Sequence, residues 1–227
     1  MMKTIKHFEF TDKTKNLSNG TILHQIKAIK DLPIYNVKKG DIGGWIEKEE
    51  NLSGNAWISG DTIVSGNARI FEDARIFGNV KVSGNAQIFG NVKVYGNAWV
   101  YGNAWLYGNA IVSGNVWVSG NAQVSGYARV SGNAWISGNA IVSGNAWISE
   151  NAWVSEDAIV SGDAQVSDNV WVSGNAWVYG NTKVSGNARI NTGEYKNLWK
   201  RLSLWRYLGF WKCLGFWKHK SFRKCKN

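Results

Sequence analysis

Three histidines, two cysteines and 16 carboxylates are the side chains with which this 227-residue chain could do acid–base, nucleophilic or metal chemistry. Their spacing offers little of it. His7 and His24 stand near the start and His219 near the end, so residues 25–218 contain no imidazole. A general base needs a group that titrates near neutrality within hydrogen-bond reach of its substrate. Both early histidines fall in alternating stretches and read as strand residues of a cap. Cys213 and Cys225 form no zinc spacing with a histidine, and they are too few for a disulfide framework. Glu72, Asp73, Glu150, Glu156 and Asp157 occupy positions that otherwise hold Gly or Asn, where solvated turn residues are expected. The many glycines recur at a fixed period and make no phosphate-binding loop. No catalytic residue, metal site or cofactor is expected from these side chains.

The element that carries them is a repeat. From Leu52 to Ile190 an aliphatic residue recurs every six positions, giving 23 complete hexads of the type Val-Ser-Gly-Asn-Ala-Trp. The third position is Gly in 19 of the 23, and the fourth is Asn in 18. No helix keeps one face apolar at this period. A short strand followed by a corner does. In Trp-Val-Ser the aliphatic residue points in while its neighbours point out. Gly-Asn then turns the chain, because Gly accepts positive φ and Asn tolerates it. Ala returns inward near the corner, where only a small side chain fits. One hexad cannot bury its own face, so successive coils must stack about 4.8 Å apart. Stacking also places the corner Asn residues in columns suited to amide ladders.

Ile58-Ser59-Gly60 with Thr62, and Val64-Ser65-Gly66-Asn67-Ala68, carry an aliphatic-x-x-x-small signature. It resembles that of the hexapeptide-repeat family, over 138 of the 227 residues. Periodicity alone gives a parallel solenoid. The resemblance implies three hexads per coil and a left hand, against the usual crossover rule. It also implies an acyltransferase-like superfamily, commonly trimeric, whose enzymes use a coil histidine as base and bind substrate between subunits and inserted loops. This repeat has neither the histidine nor an inserted loop. Residues 23–51, with Val37-Lys38-Lys39-Gly40-Asp41 and Gly43-Gly44-Trp45-Ile46-Glu47, resemble the leader of uncharacterised bacterial and prophage-encoded members.

With 18 residues per coil, the outward positions before each aliphatic residue sort into three rows. One holds Ile63, Lys81, Trp99, Trp117, Trp135, Trp153, Trp171 and Arg189. Another begins with Trp57, Arg75 and Lys93, and the third with Arg69, Gln87 and Trp105. Trp99, Trp117, Trp135, Trp153 and Trp171 thus form an indole row on successive coils, flanked by Ser119, Ser137, Ser155 and Ser173. It reads either as a stacking ladder copied by tandem duplication or as a binding strip. The partner of such a strip is a second copy of the chain or, as a second candidate, a carbohydrate.

The ends differ from the repeat. Alternation over 3–10 and 22–30, with a turn-rich 16–20 between, predicts a hairpin that blunts the open end of the solenoid. MMKTIKHFEF has no apolar h-region, so no signal peptide is expected, and no apolar run is long enough to span a membrane. Of the net charge of +10, +9 resides in residues 191–227, which hold 10 basic and 1 acidic side chains. The near-neutral body makes nucleic acid an unexpected partner. In the tail, Trp199, Trp205, Trp211 and Trp217 also recur every six positions. The last eleven residues can be encoded so that a one-base shift reads Gly-Asn-Thr-Lys-Val-Ser-Gly-Asn-Ala-Arg, the string at 180–189. An out-of-frame repeat is therefore expected there. Membrane contact is expected only if the tail is instead a functional amphipathic anchor.

The expected protein is all-β: a single-stranded left-handed parallel β-helix of hexapeptide repeats with a small N-terminal β cap. Residues 1–45 form the cap, 46–190 the β-helix and 191–227 the basic Trp-rich tail. A non-catalytic, self-associating or glycan-binding cytoplasmic protein is expected. The alternative is an acyltransferase-like enzyme.

Overall fold

The 23 hexads wind into a three-sided parallel β-helix, seen in a computed structural model that describes residues 6–192. The expectations for the basic tail, its reading frame and its membrane contact lie outside the described residues. Pairing fixes the circuit at eighteen residues. Trp99 lies beside Trp117 on one face, Lys93 beside Ile111 on the second and Trp105 beside Gln123 on the third. Every coil–coil pairing is parallel, consistent with the left-handed β-helix that the resemblance implies. The Trp-bearing face belongs to an 11-stranded sheet, and the other faces have 8 and 7 strands.

The interior is as narrow as the repeat demands. Val118, Ile136 and their counterparts from Ile58 to Val172 are buried, as are the alanines from Ala56 to Ala176 that return inward at the corners, while Val184 and Ile190 of the last coil are only partly so. Corner geometry explains the glycines. At Gly120 φ is 68°, and a Cβ there would lie 2.8 Å from the Gly138 carbonyl oxygen of the next coil. The expected amide ladders are present. Asn67, Asn85, Asn103 and Asn121 each donate to the residue one circuit on, and Asn139 ends the column on Asp157.

Each coil donates its N–H groups to carbonyls of the following coil, as in Trp99 N–H to Val116 O at 2.8 Å. The first coil therefore has carbonyls with no coil beneath them. The cap supplies the donors. Strand β1 (Phe8–Asn16) pairs antiparallel with β2 (Ile22–Ala28), and β2 pairs antiparallel with β3 (Ile42–Ile46). β3 then joins Ile63–Val64 in parallel and extends the Trp-bearing sheet. Trp45 N–H reaches Thr62 O and Glu47 N–H reaches Val64 O. The Asn51 amide donates to the carbonyls of Gly66 and Ala68. His7 Nε2 lies 2.7 Å from Ala56 O, and since a carbonyl only accepts, this nitrogen carries the proton. Burial holds the His7 pKa below the ordinary imidazole range against the opposing Ala56 hydrogen bond, with Lys30 lowering it further.

Two expectations need correction. Among the described residues the first strand starts at Phe8 and runs on to Asn16, past the expected end at residue 10, because its register follows β2, with Phe8 opposite Ala28 and Asn16 opposite Ile22; the expectation for 3–5 lies outside the described residues. Trp57 and Ile63, sorted as outward residues, are only 2% and 8% exposed. The cap lies over this end, and the His7 ring meets Trp57 edge-on at 6.4 Å.

Candidate functional site

The sheet positions the indole row by translation alone. Trp99, Trp117, Trp135, Trp153 and Trp171 occupy one register on five successive coils, each preceding a buried aliphatic residue. Because the strand alternates, the inward anchor forces the indole outward. The first three rings stack like coins. Trp99 and Trp117 are 5.0 Å apart and Trp117 and Trp135 4.7 Å, each pair within 3° of parallel. Trp153 breaks the pattern. Its ring is turned 61° from Trp135 and 65° from Trp171, and its indole nitrogen is buried without a hydrogen-bond partner. Trp99, Trp135 and Trp171 are 38–39% exposed, while Trp117 and Trp153 are half-buried between neighbours.

Each end of the row meets a cation. Lys81 Nζ sits 4.6 Å from the Trp99 ring centre and the Arg189 guanidinium 4.6 Å from that of Trp171. The residue types were visible in the row, but their contact with the terminal ring faces was not. Two further aromatic ladders, on the other faces, were missed altogether. Phe71, Phe89 and Tyr107 stack at 4.8 and 5.4 Å, and Phe77 stacks on Tyr95 at 4.9 Å. Their signal was there: these residues all take the second hexad position, which from residue 113 on is Ser except at Tyr179.

The corner carboxylates have a role beyond solvation. Glu72, Glu150, Glu156 and Asp168 replace Gly and keep its left-handed backbone, with φ between 58° and 63°. Glu156 accepts the Gly174 N–H at 2.7 Å and Asp168 the Gly186 N–H at 2.8 Å, each one circuit on. These are structural bonds at exposed corners. Of the histidines, His7 is buried in the cap, and His24 stacks on Phe10 at 4.8 Å. Among the described residues, no three His, Cys, Asp or Glu side chains are grouped to hold a metal ion, and no helix is long and apolar enough to cross a membrane.

The YdcK beta solenoid repeat family matches residues 86–102, 104–120, 122–138, 134–150 and 164–180. No curated protein matches the chain in sequence. Among solved structures, a point mutant of GDP-perosamine N-acetyl transferase from Caulobacter crescentus, in complex with CoA and GDP-perosamine, is similar at 14% identity and a TM-score of 0.41. That match covers 52% of each chain. The Arabidopsis UDP-N-acetylglucosamine acyltransferase is similar at 10% identity and a TM-score of 0.36, over 63% of this chain and 66% of that one. The acetyltransferase domain of PglB from Neisseria gonorrhoeae FA1090 is similar at 20% identity and a TM-score of 0.21, over 53% and 55%. The matches span about half to two thirds of those chains' own lengths. At such identities and TM-scores they assign no chemistry to this chain.

Proposed function

We propose that this chain, which belongs to the hexapeptide-repeat β-helix superfamily, is a non-catalytic structural protein that self-associates through its indole row. The observation that carries the reading is the stacking geometry of Trp99, Trp117 and Trp135, within 3° of parallel. Stacked rings present edges to solvent and hide their faces. A sugar ring that binds by stacking needs an open face. The inner faces here are held by neighbouring indoles and the end rings by Lys81 and Arg189. A second copy needs only flat apolar area.

That area can be gauged. Each exposed indole, at 38–39%, offers about 90–100 Å². The three exposed indoles of the row give roughly 300 Å², a little over a third of the ~800 Å² that one partner contributes to a standard interface, before the smaller share of the half-buried Trp117 and Trp153. The row is already ordered, so docking it costs little side-chain entropy. Residues 51–190 carry 7 basic and 8 acidic side chains, a net of −1 that does little to repel a copy. Without an imidazole in the coils, hydroxyl or amine activation lacks its usual agent.

Light scattering and sedimentation test the reading. Wild type should sediment as a multiple of the chain mass at tens of micromolar, and the Trp117→Ser, Trp135→Ser double variant should move toward the single-chain mass. A wild type that stays monomeric, or a variant with unchanged mass, overturns self-association. Saturable binding of a soluble oligosaccharide that is lost with the same two indoles would favour the carbohydrate instead. Robust acyl-CoA turnover with amine or sugar acceptors would overturn the non-catalytic part.

A further inference from the structure

A cavity of about 550 Å³ opens where the cap meets the first coils. Ile34 and Tyr35 of the Pro33–Tyr35 turn, Asp41, and Ile42 of β3 line it from the cap. Trp57, Ser59 and Arg75 line it from the second face. Its size falls within the range of small-molecule sites, which combine an apolar lining with a few convergent polar groups.

Two of the cavity's polar groups lack partners, while its Asp41 carboxylate accepts the Lys38 N–H at 2.8 Å. Arg75 belongs to an outward row, yet the cap leaves its Nε buried with no hydrogen-bond acceptor. The Tyr35 hydroxyl, on a side chain only 5% exposed, is also buried and unpartnered. Burial pushes that hydroxyl up to about 12, with Asp73 adding to the shift and Arg75 opposing it, so it remains a donor at neutral pH. The guanidinium lies 5.9 Å from the Tyr35 ring centre and 5.2 Å from that of Phe77. Among the described residues the ion pairs are Lys6–Glu49 and Lys27–Glu9, so this cation has no carboxylate. A guanidinium beside two aromatic rings still offers the fork that a carboxylate matches with two parallel bonds. Meanwhile Ile34 and Ile42 are 64% and 51% exposed at the same cavity, aliphatic surface that the fold itself leaves uncovered.

We propose that this cavity binds a small molecule bearing a carboxylate on a flat apolar body. Arg75 and Tyr35 take the carboxylate, and Ile34, Ile42 and Trp57 take the body. The site does not depend on the indole row or on the oligomeric state.

Calorimetric titration of the full chain with naphthalene-2-carboxylate tests it, beside naphthalene-2-carboxamide and inorganic phosphate. One saturable site per chain is expected for the carboxylate, with the carboxamide and phosphate at least about tenfold weaker. Arg75→Gln should lower the carboxylate affinity about tenfold or more, and Tyr35→Phe by a smaller factor. Arg129→Gln, on the same face farther along the rod, should leave it unchanged. Circular dichroism of each variant checks that the coils persist, and Arg75→Lys keeps the charge while removing the fork. Absence of saturable binding, equal binding of the carboxamide or phosphate, or full affinity in folded Arg75→Gln overturns the proposal.

Discussion

The corner carboxylates make the sharpest test of how the stack is held, because the repeat supplies its own control. Gly120 and Glu156 occupy the same corner column, with φ of 68° and 59°. An L-residue in the left-handed region costs roughly 1–2 kcal/mol, while losing Gly from the unfolded chain returns about 0.4–1 kcal/mol. A Cβ on Gly120 also approaches the Gly138 carbonyl oxygen at 2.8 Å. Gly120→Ala should therefore destabilise by about 1–2 kcal/mol. Glu156 carries the same backbone strain but accepts the Gly174 N–H at 2.7 Å. Such a bond at an exposed corner is worth about 1 kcal/mol. Gly120→Glu, able to reach the Gly138 N–H in the same way, should then be about 1 kcal/mol more stable than Gly120→Ala. Conversely, Glu156→Gly relieves strain as it loses the bond and should stay near wild type. Glu156→Ala keeps the strain without the bond and should fall about 1 kcal/mol below it. Urea midpoints by circular dichroism rank the four variants without requiring strict two-state unfolding of a solenoid. Should Glu156→Ala match Glu156→Gly, or Gly120→Glu fare no better than Gly120→Ala, the carboxylate–amide bond is not what admits acids to these corners.

The cap offers two further tests. His7 is buried below its ordinary pKa, so it is neutral in both states above about pH 6.5 and its contribution is intact there. As pH falls from that point the unfolded chain takes up the proton first, and stability should drop until the folded pKa is passed. His7→Gln should show a flatter stability profile between about pH 7 and 5 by the same urea melts, and an equal slope in both proteins would remove His7 from the account. Gly43 in β3 faces the coil so closely that an added Cβ would lie 2.5 Å from Ile26 Cγ1 and 2.8 Å from the Ile58 carbonyl oxygen. Gly43→Ala should cost about 1–3 kcal/mol, and hydrogen exchange should speed in β1 and β2 while amides near Val118 stay protected. Uniform change along the rod would contradict a lesion confined to the cap.

Much of the solenoid was legible because its rules are local. Each hexad contains the residue that points in, the residue that turns and the residue that fits beneath the corner, so Val118, Ala122 and Asn121 could be placed from their own neighbours. The circuit length came from resemblance, and pairing of Trp99 with Trp117 agrees with it. Failures began where one part of the chain lies on another. Nothing in the hexad around Trp57 distinguishes it from the one around Trp147, yet the cap covers the first and leaves the second 47% exposed. The meeting of Tyr35 with Arg75 is hidden for the same reason. It joins a short turn to an outward row position far along the chain, and neither carries a periodic signal. The Phe71–Phe89–Tyr107 ladder is different, since its eighteen-residue spacing at the second hexad position is as local a signal as the aliphatic one.

Translation by one coil also decides which outward rows a stack can tolerate. Whatever occupies one position meets its own copy about 4.8 Å away. Amides satisfy one another at this spacing, as the column from Asn67 to Asp157 shows. Aromatic rings also attract, and a stacked pair adds about 0.5–1.5 kcal/mol. Like charges repel, and the cations of the indole row stand only at its ends, over Trp99 and Trp171. A ladder of indoles therefore stabilises its own coils at the same time as it orders the face offered to a second copy. The part that stacking does not explain is Trp153. Its ring abandons the parallel arrangement and leaves a buried N–H unpaired, which works against the coil's own stability. If a second copy closes over this face, it must meet an irregular surface at Trp153 rather than a smooth stripe, and that irregularity is what would fix the register of one rod against the other.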